Sequence, residues 1–270
     1  MNDEQQAKYT HGHHESVLRS HQRRTAEDSA GYLLPHLRSG LSLLDVGCGP
    51  GTITADLAER VAPGSVTAVD QFADVLNLAH AETQRRNLSN VTFAIADVHR
   101  LNFPDDAFDV VHAHQVLQHV ADPVQALLEM RRVCVPGGIV AARDADYAGF
   151  IWFPQLPELD LWRDLYQQAA RANGGEPDAG RRLLSWARQA GFDDIAPAGS
   201  LWCYATVATR EWWGGMWADR IVHSGVAREL LQLGLATPAQ LEEISAAWRA
   251  WAAAPDGWLA IPHGEIICRA

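Results

Sequence analysis

The sequence lacks several features that mark particular classes of protein. Its cysteines are scattered, with no C-x-x-C pair: Cys48, Cys134, Cys203 and Cys268. This spacing disfavours a zinc site or a disulfide framework and favours a reducing, cytoplasmic location. No apolar run is long enough to span a bilayer. The first ten residues, MNDEQQAKYT, lack the apolar centre of a signal peptide. We therefore expect no metal site and no membrane partner.

Positive charge is also scarce. The chain has 22 Lys and Arg residues against 33 Asp and Glu residues, which gives a net charge of −11, and Lys8 is its only lysine. Because no large basic run is present, a nucleic-acid partner is disfavoured. The 270 residues, 47% of them hydrophobic, are enough for one large domain or for a domain with a lid.

Residues 43–54, LLDVGCGPGTIT, organise the chain. A short apolar run predicts a buried parallel strand, and a helical pattern follows three glycines at alternate positions. Strand, glycine turn and helix form the first unit of a nucleotide-binding α/β fold. A dinucleotide fingerprint, G-x-G-x-x-G, would need a third glycine where Thr52 or Thr54 stands. A nicotinamide-dependent oxidoreductase is therefore disfavoured.

With Asp45, the loop reads D-x-G-x-G-x-G, which resembles the first motif of class I S-adenosylmethionine (SAM)-dependent methyltransferases. Residues 101–120, LNFPDDAFDVVHAHQVLQHV, and the DPVQALLEMRRVCVPGG that follows resemble methyltransferases of the ubiquinone/menaquinone-biosynthesis type. The YTHGHH start and the tryptophan-rich second half resemble methyltransferases of secondary metabolism. The resemblance implies a Rossmann-like, seven-stranded, mostly parallel sheet with one antiparallel edge strand, helices on both faces and helical lid insertions.

The same resemblance implies SAM as the cofactor, S-adenosylhomocysteine (SAH) as its product, and a set of cofactor contacts. Asp45 would lie near the methionyl ammonium group, Asp70 would accept the ribose hydroxyls, and Asp97 would accept the adenine amino group. A helical cap over residues 1–38 would bring Tyr9 and Arg24 to the methionyl carboxylate. The remaining cofactor candidates are Gly47, Cys48, Gly49, Gln71, Val98, His114 and Gln115. For Asp70 and Asp97, helix or loop capping is the alternative reading.

Two histidines are catalytic candidates. His114 and His119 follow the fourth predicted strand, where the resemblance places the junction between cofactor and substrate. A histidine has a pKa near working pH and can act as a general base. The alternative is that each is a buried packing residue.

The substrate candidates come from two regions of a methyltransferase domain that spans residues 39–270. Asp146, Tyr147 and Trp152 follow the fifth predicted strand, at the edge where open α/β sheets bind ligands. Trp213 and Trp217 lie in a helical insertion at about 209–255, and a second insertion is expected at about 150–190. Simple packing of helices onto the sheet is the alternative for each tryptophan.

Together these features predict in-line methyl transfer to a small, fairly apolar metabolite at oxygen, nitrogen, sulfur or carbon. S-methylation of a thiol or dithiol natural product is a more specific alternative. A SAM-binding sensor or scaffold without catalysis is the alternative from another class. We expect a monomer or homodimer.

Overall fold

The structure is a computed structural model, and it describes residues 23–270. The predicted contact of Tyr9 and most of the predicted cap lie outside the described residues. Within residues 23–270, no helix is both long and apolar enough to cross a membrane. The same residues contain no group of three or more His, Cys, Asp or Glu side chains that could hold a metal ion.

One mixed sheet forms the centre of the molecule. Its eight strands are β1 (Leu43–Val46), β2 (Val66–Asp70), β3 (Val91–Ile95), β4 (Phe108–His114), β5 (Cys134–Ala145), β6 (Ile151–Phe153), β7 (Ile195–Tyr204) and β8 (Trp258–Arg269). The order is β3-β2-β1-β4-β5-β8, and both β6 and β7 pair with β8. The first five strands are parallel to one another. β8 runs antiparallel to β5, β6 and β7, so the sheet is mixed and mostly parallel, and the predicted fold class is confirmed.

Helices cover the sheet and form the lid. They are α1 (Ala26–Ser29), α2 (Thr52–Val61), α3 (Ala73–Arg85), α4 (Pro123–Val133), α5 (Pro157–Ala172), α6 (Leu183–Gln189), α7 (Val207–His223), α8 (Gly225–Gln232) and α9 (Pro238–Ala253). Two of them begin at side-chain caps: Asp122 caps α4, with Pro123 in its first turn, and Thr237 forms a capping box with Gln240 at α9.

The two faces of the sheet have separate hydrophobic cores. Leu43 packs in one core with α2, whereas the next residue, Leu44, packs in the other with α4 and α6. Neighbouring strand residues point to opposite faces, so helices lie on both. A third core joins α5, α7, α8 and α9 around Trp162 and Trp248.

The structure differs from the sequence prediction in one strand. Ile151–Phe153 forms β6 and pairs with β8, so the segment at about 150–190 is not purely helical. This strand is only three residues long, and so short a segment carries little periodicity to read in a sequence. It also makes the sheet eight-stranded rather than seven-stranded.

Candidate active site

One cleft lies at the carboxyl ends of β1, β2 and β4, with a volume of about 1620 Å³ that includes space open to solvent. Its glycine half is lined by eight predicted residues: Asp45, Gly47, Cys48, Gly49, Asp70, Gln71, Asp97 and Val98. Its aromatic half is lined by Tyr147, Phe150, Trp202, Trp213 and Trp217, together with Arg220. Between the halves, the junction contains Arg24, His114, Gln115 and His119. The cleft thus joins residues from both ends of the chain.

The glycine loop brings bare backbone to the cleft. Gly47 has a φ of +66°, which disfavours other residues, and a Cβ atom there would come within 2.5 Å of Val116 Cγ2. At Gly49, φ is +56° and a Cβ atom would meet no heavy atom within 4 Å. The backbone at Gly49 therefore lies open to a ligand in the cleft.

Three carboxylates line the glycine half, and each is held by the protein. Asp45 is buried; its Oδ2 accepts a hydrogen bond from Thr54 Oγ1 at 2.6 Å, and its Oδ1 lies 2.9 Å from Nδ1 of His112. Asp70, at the end of β2, accepts hydrogen bonds from the backbone N–H groups of Gly49 at 3.2 Å and Phe72 at 3.1 Å. These contacts fix the carboxylate of Asp70 directly beside the glycine loop.

The third carboxylate, Asp97, follows β3. Its Oδ1 accepts a hydrogen bond from the backbone N–H of His99 at 2.9 Å and lies 2.8 Å from that residue's Nδ1. Asp97 therefore caps its own loop, as the alternative interpretation expected. This capping uses only one of the two carboxylate oxygens, Oδ1. The side chain is 48% exposed and borders the cleft, so the capping role and a ligand contact are compatible.

The histidines at the junction are neutral. His114 is buried, and neither of its ring nitrogens has a hydrogen-bond partner among the described residues. Burial, followed by the positive charges of Arg24 and Arg143, holds the pKa of His114 well below its usual range. Burial and Arg24 lower the pKa of His119 to about 3. Both side chains are therefore poor bases at neutral pH.

Gln115 connects the junction to the far end of the chain. Its φ is +54°, which is rare for a residue with a side chain. Oε1 of Gln115 accepts a hydrogen bond from Arg24 Nη2 at 3.0 Å, and Nε2 lies 3.1 Å from Nε2 of His263. Nδ1 of His263 lies 3.0 Å from the carbonyl oxygen of Ile261 and donates to it. His263 Nε2 is then the acceptor for Gln115, and this chain of bonds fixes Arg24 at the junction.

The aromatic half is built from distant segments. Tyr147 stacks on Phe150 with ring centroids 4.5 Å apart, and Trp213 stacks on Tyr204 at 4.6 Å. Trp217 contacts Trp162 of the helical core at 4.6 Å. Trp213 and Trp217 therefore both line the cleft and belong to the helical core, and their role in binding a substrate stays a prediction.

Two predicted substrate residues do not line the cleft. Asp146 is buried, caps the turn at 147–149 by accepting from the backbone N–H of Gly149, and accepts two hydrogen bonds from the side chain of Arg181. Trp152 is buried against Trp162, with Arg163 over its ring. The prediction was wrong for these two, because it used only their distance along the chain from β5.

Sequence reasoning missed three residues of the aromatic half: Phe150, Trp202 and Arg220. No alternation in the sequence marks Trp202, because its neighbours Leu201 and Cys203 are apolar as well; only the structure shows it half-buried between two exposed residues. Arg220 lies one helical turn from Trp217, and its guanidinium covers that ring at 4.8 Å. Both arginines of α7, Arg210 and Arg220, are buried, and no pattern in the sequence marks which of them lines the cleft.

Comparison with known proteins now gives the family. Residues 37–190 match a family model described as a methyltransferase domain. The chain belongs to the methyltransferase family. An uncharacterized methyltransferase of Schizosaccharomyces pombe is 35% identical over 270 residues, covering 96% of this chain and 95% of that relative. The ubiquinone/menaquinone biosynthesis C-methyltransferase UbiE of Bdellovibrio bacteriovorus is 38% identical over 103 residues, covering 38% of this chain and 43% of the relative.

A solved structure supports the fold of this methyltransferase. Phosphoethanolamine N-methyltransferase 2 of Haemonchus contortus, in complex with phosphomonomethylethanolamine and SAH, superposes with a TM-score of 0.55 at 18% identity. It covers 86% of this chain and 49% of that one. The predictions of a class I SAM-dependent methyltransferase and of SAM as the cofactor are confirmed.

The glycine half of this methyltransferase fits SAM. It offers the open backbone at Gly49 and the carboxylates of Asp70 and Asp97, which can accept hydroxyl and amino hydrogens. Arg24, at the junction, carries a planar guanidinium suited to a carboxylate. A nucleoside with an amino-acid tail presents these groups, so the donors and acceptors match.

Proposed function

We propose that this enzyme methylates a small, fairly apolar metabolite, of the kind made in secondary metabolism. The observation that carries the proposal is the continuous cleft, in which the glycine half meets an aromatic half at the buried, unbonded ring of His114. Ligand sites are usually apolar with a few placed polar groups. The aromatic half has that composition and lies where a methyl acceptor must bind.

SAM supplies an electrophilic methyl group on a sulfonium, which the acceptor atom displaces in line. In the proposed site, Asp70 accepts the ribose hydroxyls, Asp97 accepts the adenine amino group, and Arg24 donates to the methionyl carboxylate. Gln71 and Val98 border the adenosine, and the backbone of residues 47–49 lies along the ligand. Asp45 acts chiefly by charge towards the methionyl ammonium group, because it is buried, unlike Asp70, and both its oxygens are bonded within the protein.

We assign His114 and His119 the role of neutral hydrogen-bonding groups rather than strong bases. Their lowered pKa values leave each with one N–H donor and one acceptor nitrogen at neutral pH. The unbonded ring of His114 is available to orient an acceptor O–H, S–H or N–H group. The main work of the site is then alignment of the acceptor and exclusion of water.

The proposal also covers the cellular location, the oligomeric state and the class of substrate of the enzyme. We infer a cytoplasmic monomer or homodimer that acts on small molecules rather than on nucleic acid or at a membrane. The four cysteines are unpaired, and Cys203 is exposed, which suits a reducing compartment.

Calorimetry with SAM and SAH, followed by a methyl-transfer screen over thiol, phenol, amine and quinol metabolites, tests this function. Binding of both nucleosides with turnover on one class is the expected result, and turnover on a thiol or dithiol would select the S-methylation alternative. Binding without turnover on any class would contradict the proposal and favour a SAM-binding sensor. The absence of binding would remove the proposed roles of the glycine half.

A further inference from the structure

Two polar residues lie side by side in the buried centre of the sheet. In the register of the parallel strands, Asp45 of β1 is directly opposite His112 of β4. On the outer sides of this pair, Ala68 is opposite Asp45 and Ala141 is opposite His112. All four residues are buried. A charge buried in such a row is costly unless it is paired, so Asp45 and His112 have to be considered as one unit.

The ring of His112 is oriented to donate to Asp45. Its Nδ1 lies 2.9 Å from Oδ1 of Asp45, and because an ionised carboxylate only accepts hydrogen bonds, Nδ1 carries the hydrogen. Nε2 of His112 is buried and has no hydrogen-bond partner among the described residues. Within residues 23–270, the polar contact of this imidazole is therefore the one to Asp45.

Thr54 bonds the other oxygen of the same carboxylate. Thr54 lies in the first turn of α2 and donates from Oγ1 to Oδ2 of Asp45 at 2.6 Å. One oxygen is thus bonded from β4 and the other from α2, which fixes the plane of the carboxylate. Each carboxylate oxygen has a second lone pair, and Asp45 lines the cleft together with Gly47. The charge of Asp45 is therefore directed at a ligand beside the glycine loop.

The negative charge of Asp45 acts on the glycine loop. Burial, followed by the charges of Asp45 and Asp70, raises the pKa of the Cys48 thiol well above its usual range. Cys48 also lines the cleft. The same charge that opposes a thiolate at this loop attracts an ammonium group there.

A purely stabilising role explains the pair poorly. Buried charged pairs are often no more stabilising than apolar side chains of similar size, and the flanking positions of this row are alanines. His112 also buries Nε2 without a partner among the described residues, which costs free energy. The pair is better explained by the ligand that Asp45 faces.

We propose that His112 is a positioning residue for the cofactor, which fixes Asp45 so that its carboxylate attracts the methionyl ammonium group. The inference rests on the proposed cofactor contacts and adds a residue that does not itself line the cleft. Loss of the His112 donor should therefore weaken ligands that carry the ammonium group and leave other nucleosides unaffected.

Two ligands that differ only in the amino group test the role of the carboxylate by binding alone. SAH and its deamino analogue, in which hydrogen replaces the amino group, are titrated calorimetrically into the full chain at neutral pH. We expect SAH to bind roughly tenfold more tightly, because a charge-assisted contact is lost in the analogue. Equal affinity for the two ligands would overturn the inference.

Two substitutions assign this preference to His112. His112→Leu removes the donor at similar volume, whereas His112→Asn keeps an N–H group near the position of Nδ1. We expect His112→Leu to reduce the preference for SAH to roughly twofold or less, since a hydrogen bond to a charged group is lost, and His112→Asn to retain most of it. Unchanged binding of the deamino analogue shows that both variants are folded. An equal loss for both ligands would mean that His112 only supports the fold, contrary to the proposal.

Two further variants keep the test independent of the stability of the His112 variants. Val110→Ala is the matched control, because Val110 is buried two residues earlier on the same face of β4. It removes apolar contacts and should leave the preference for SAH unchanged. Thr54→Val removes the bond at Oδ2 of Asp45 with little change of shape, and we expect it to lower the preference as well. A preference that persists in Thr54→Val would contradict the claim that hydrogen bonds fix Asp45 for the ammonium group.

A double-mutant cycle with Asp45→Asn completes the assignment. In that background His112→Leu should not change the preference further, and additive losses would show that His112 does not act through Asp45. The outcomes also separate this inference from the function on which it rests. If SAH fails to bind the unmodified chain, the proposed function fails. If SAH binds with no preference over its deamino analogue, the role of His112 is refuted and the methyltransferase function stands.

Discussion

The two halves of the cleft differ in how the chain builds them. The glycine half comes from one stretch, residues 45–99, in which each strand ends on or near a ligand-facing residue. The aromatic half combines residues 147–150, Trp202 on β7, three residues of α7 and Ile261 on β8. The first half is therefore a local consequence of the parallel strands, whereas the second depends on how the lid packs. A motif in the sequence can mark the cofactor site, but only tertiary structure defines the acceptor site.

They also differ in the contacts that hold them. The glycine half is a set of loops held by hydrogen bonds, such as those that Asp70 accepts from Gly49 and Phe72. The aromatic half is continuous with the helical core, where Trp162 contacts Trp217 at 4.6 Å and Trp248 at 4.9 Å, with rings close to perpendicular. Edge-to-face ring pairs add about 0.5–1.5 kcal/mol each beyond burial. The shape of the aromatic half is thus coupled to the stability of the lid.

Asp144, which precedes the cleft-lining Ala145 on β5, gives the largest expected effect and tests whether burial keeps this carboxyl protonated. Burial raises its pKa from 3.8 to about 7, so the folded state keeps a proton that the unfolded state loses above pH 4. Stability must then fall as the pH rises from about 4 to 7. We expect Asp144→Asn to remove this decline and to raise the free energy of unfolding at pH 8 by roughly 2–4 kcal/mol, at about 1.4 kcal/mol per pKa unit.

Urea unfolding between pH 4 and 8 measures the effect of Asp144→Asn. The asparagine keeps an oxygen for the backbone N–H of Gln118, which donates to Asp144 Oδ1 at 3.0 Å. Exposed Asp256 provides the control, because Asp256→Asn should leave the pH dependence unchanged. A variant that is destabilised at pH 8 would show that the carboxylate is ionised and bonded in the folded state, contrary to the raised pKa.

Asp70→Ala tests the glycine half of the cleft. We expect the affinity for SAM to fall by tens-fold or more, because hydrogen bonds to a charged group contribute about 1.5–3 kcal/mol each. Calorimetry with SAM measures this, and Asp74→Ala, on the exposed first turn of α3, is the control. Unchanged affinity would remove Asp70 from the cofactor site.

The sequence predicted the glycine half and the sheet because the signals there are local. Asp45, the three glycines and Asp70 are each fixed by their distance from a strand end, and the caps at Asp122 and Thr237 need only adjacent residues. Trp152 and Trp213 are chemically identical, yet only Trp213 lines the cleft. Which face of a strand or helix is buried against which neighbour depends on the whole fold. The pKa of His119, about 3, follows mainly from burial. The spacing of residues in the sequence does not show that this side chain is buried.

His263→Phe has the smallest expected effect and addresses the junction where the halves meet. Phenylalanine preserves the ring contact with Trp202, whose centroid lies 4.4 Å away, but it removes the acceptor for Gln115. Loss of one net hydrogen bond is worth about 1 kcal/mol. We therefore expect a three- to tenfold loss of SAM affinity, measured by calorimetry, with His36→Phe on the exposed surface as the control.

A double-mutant cycle decides whether His263 acts through Arg24, as the bonds through Gln115 indicate. If it does, His263→Phe should cost little further affinity once Arg24→Ala is present, because the orientation of Arg24 no longer matters. Additive losses would mean that His263 affects the cofactor site by another route. In that case the two halves would be joined by packing of Trp202 rather than by the hydrogen bonds that cross the junction.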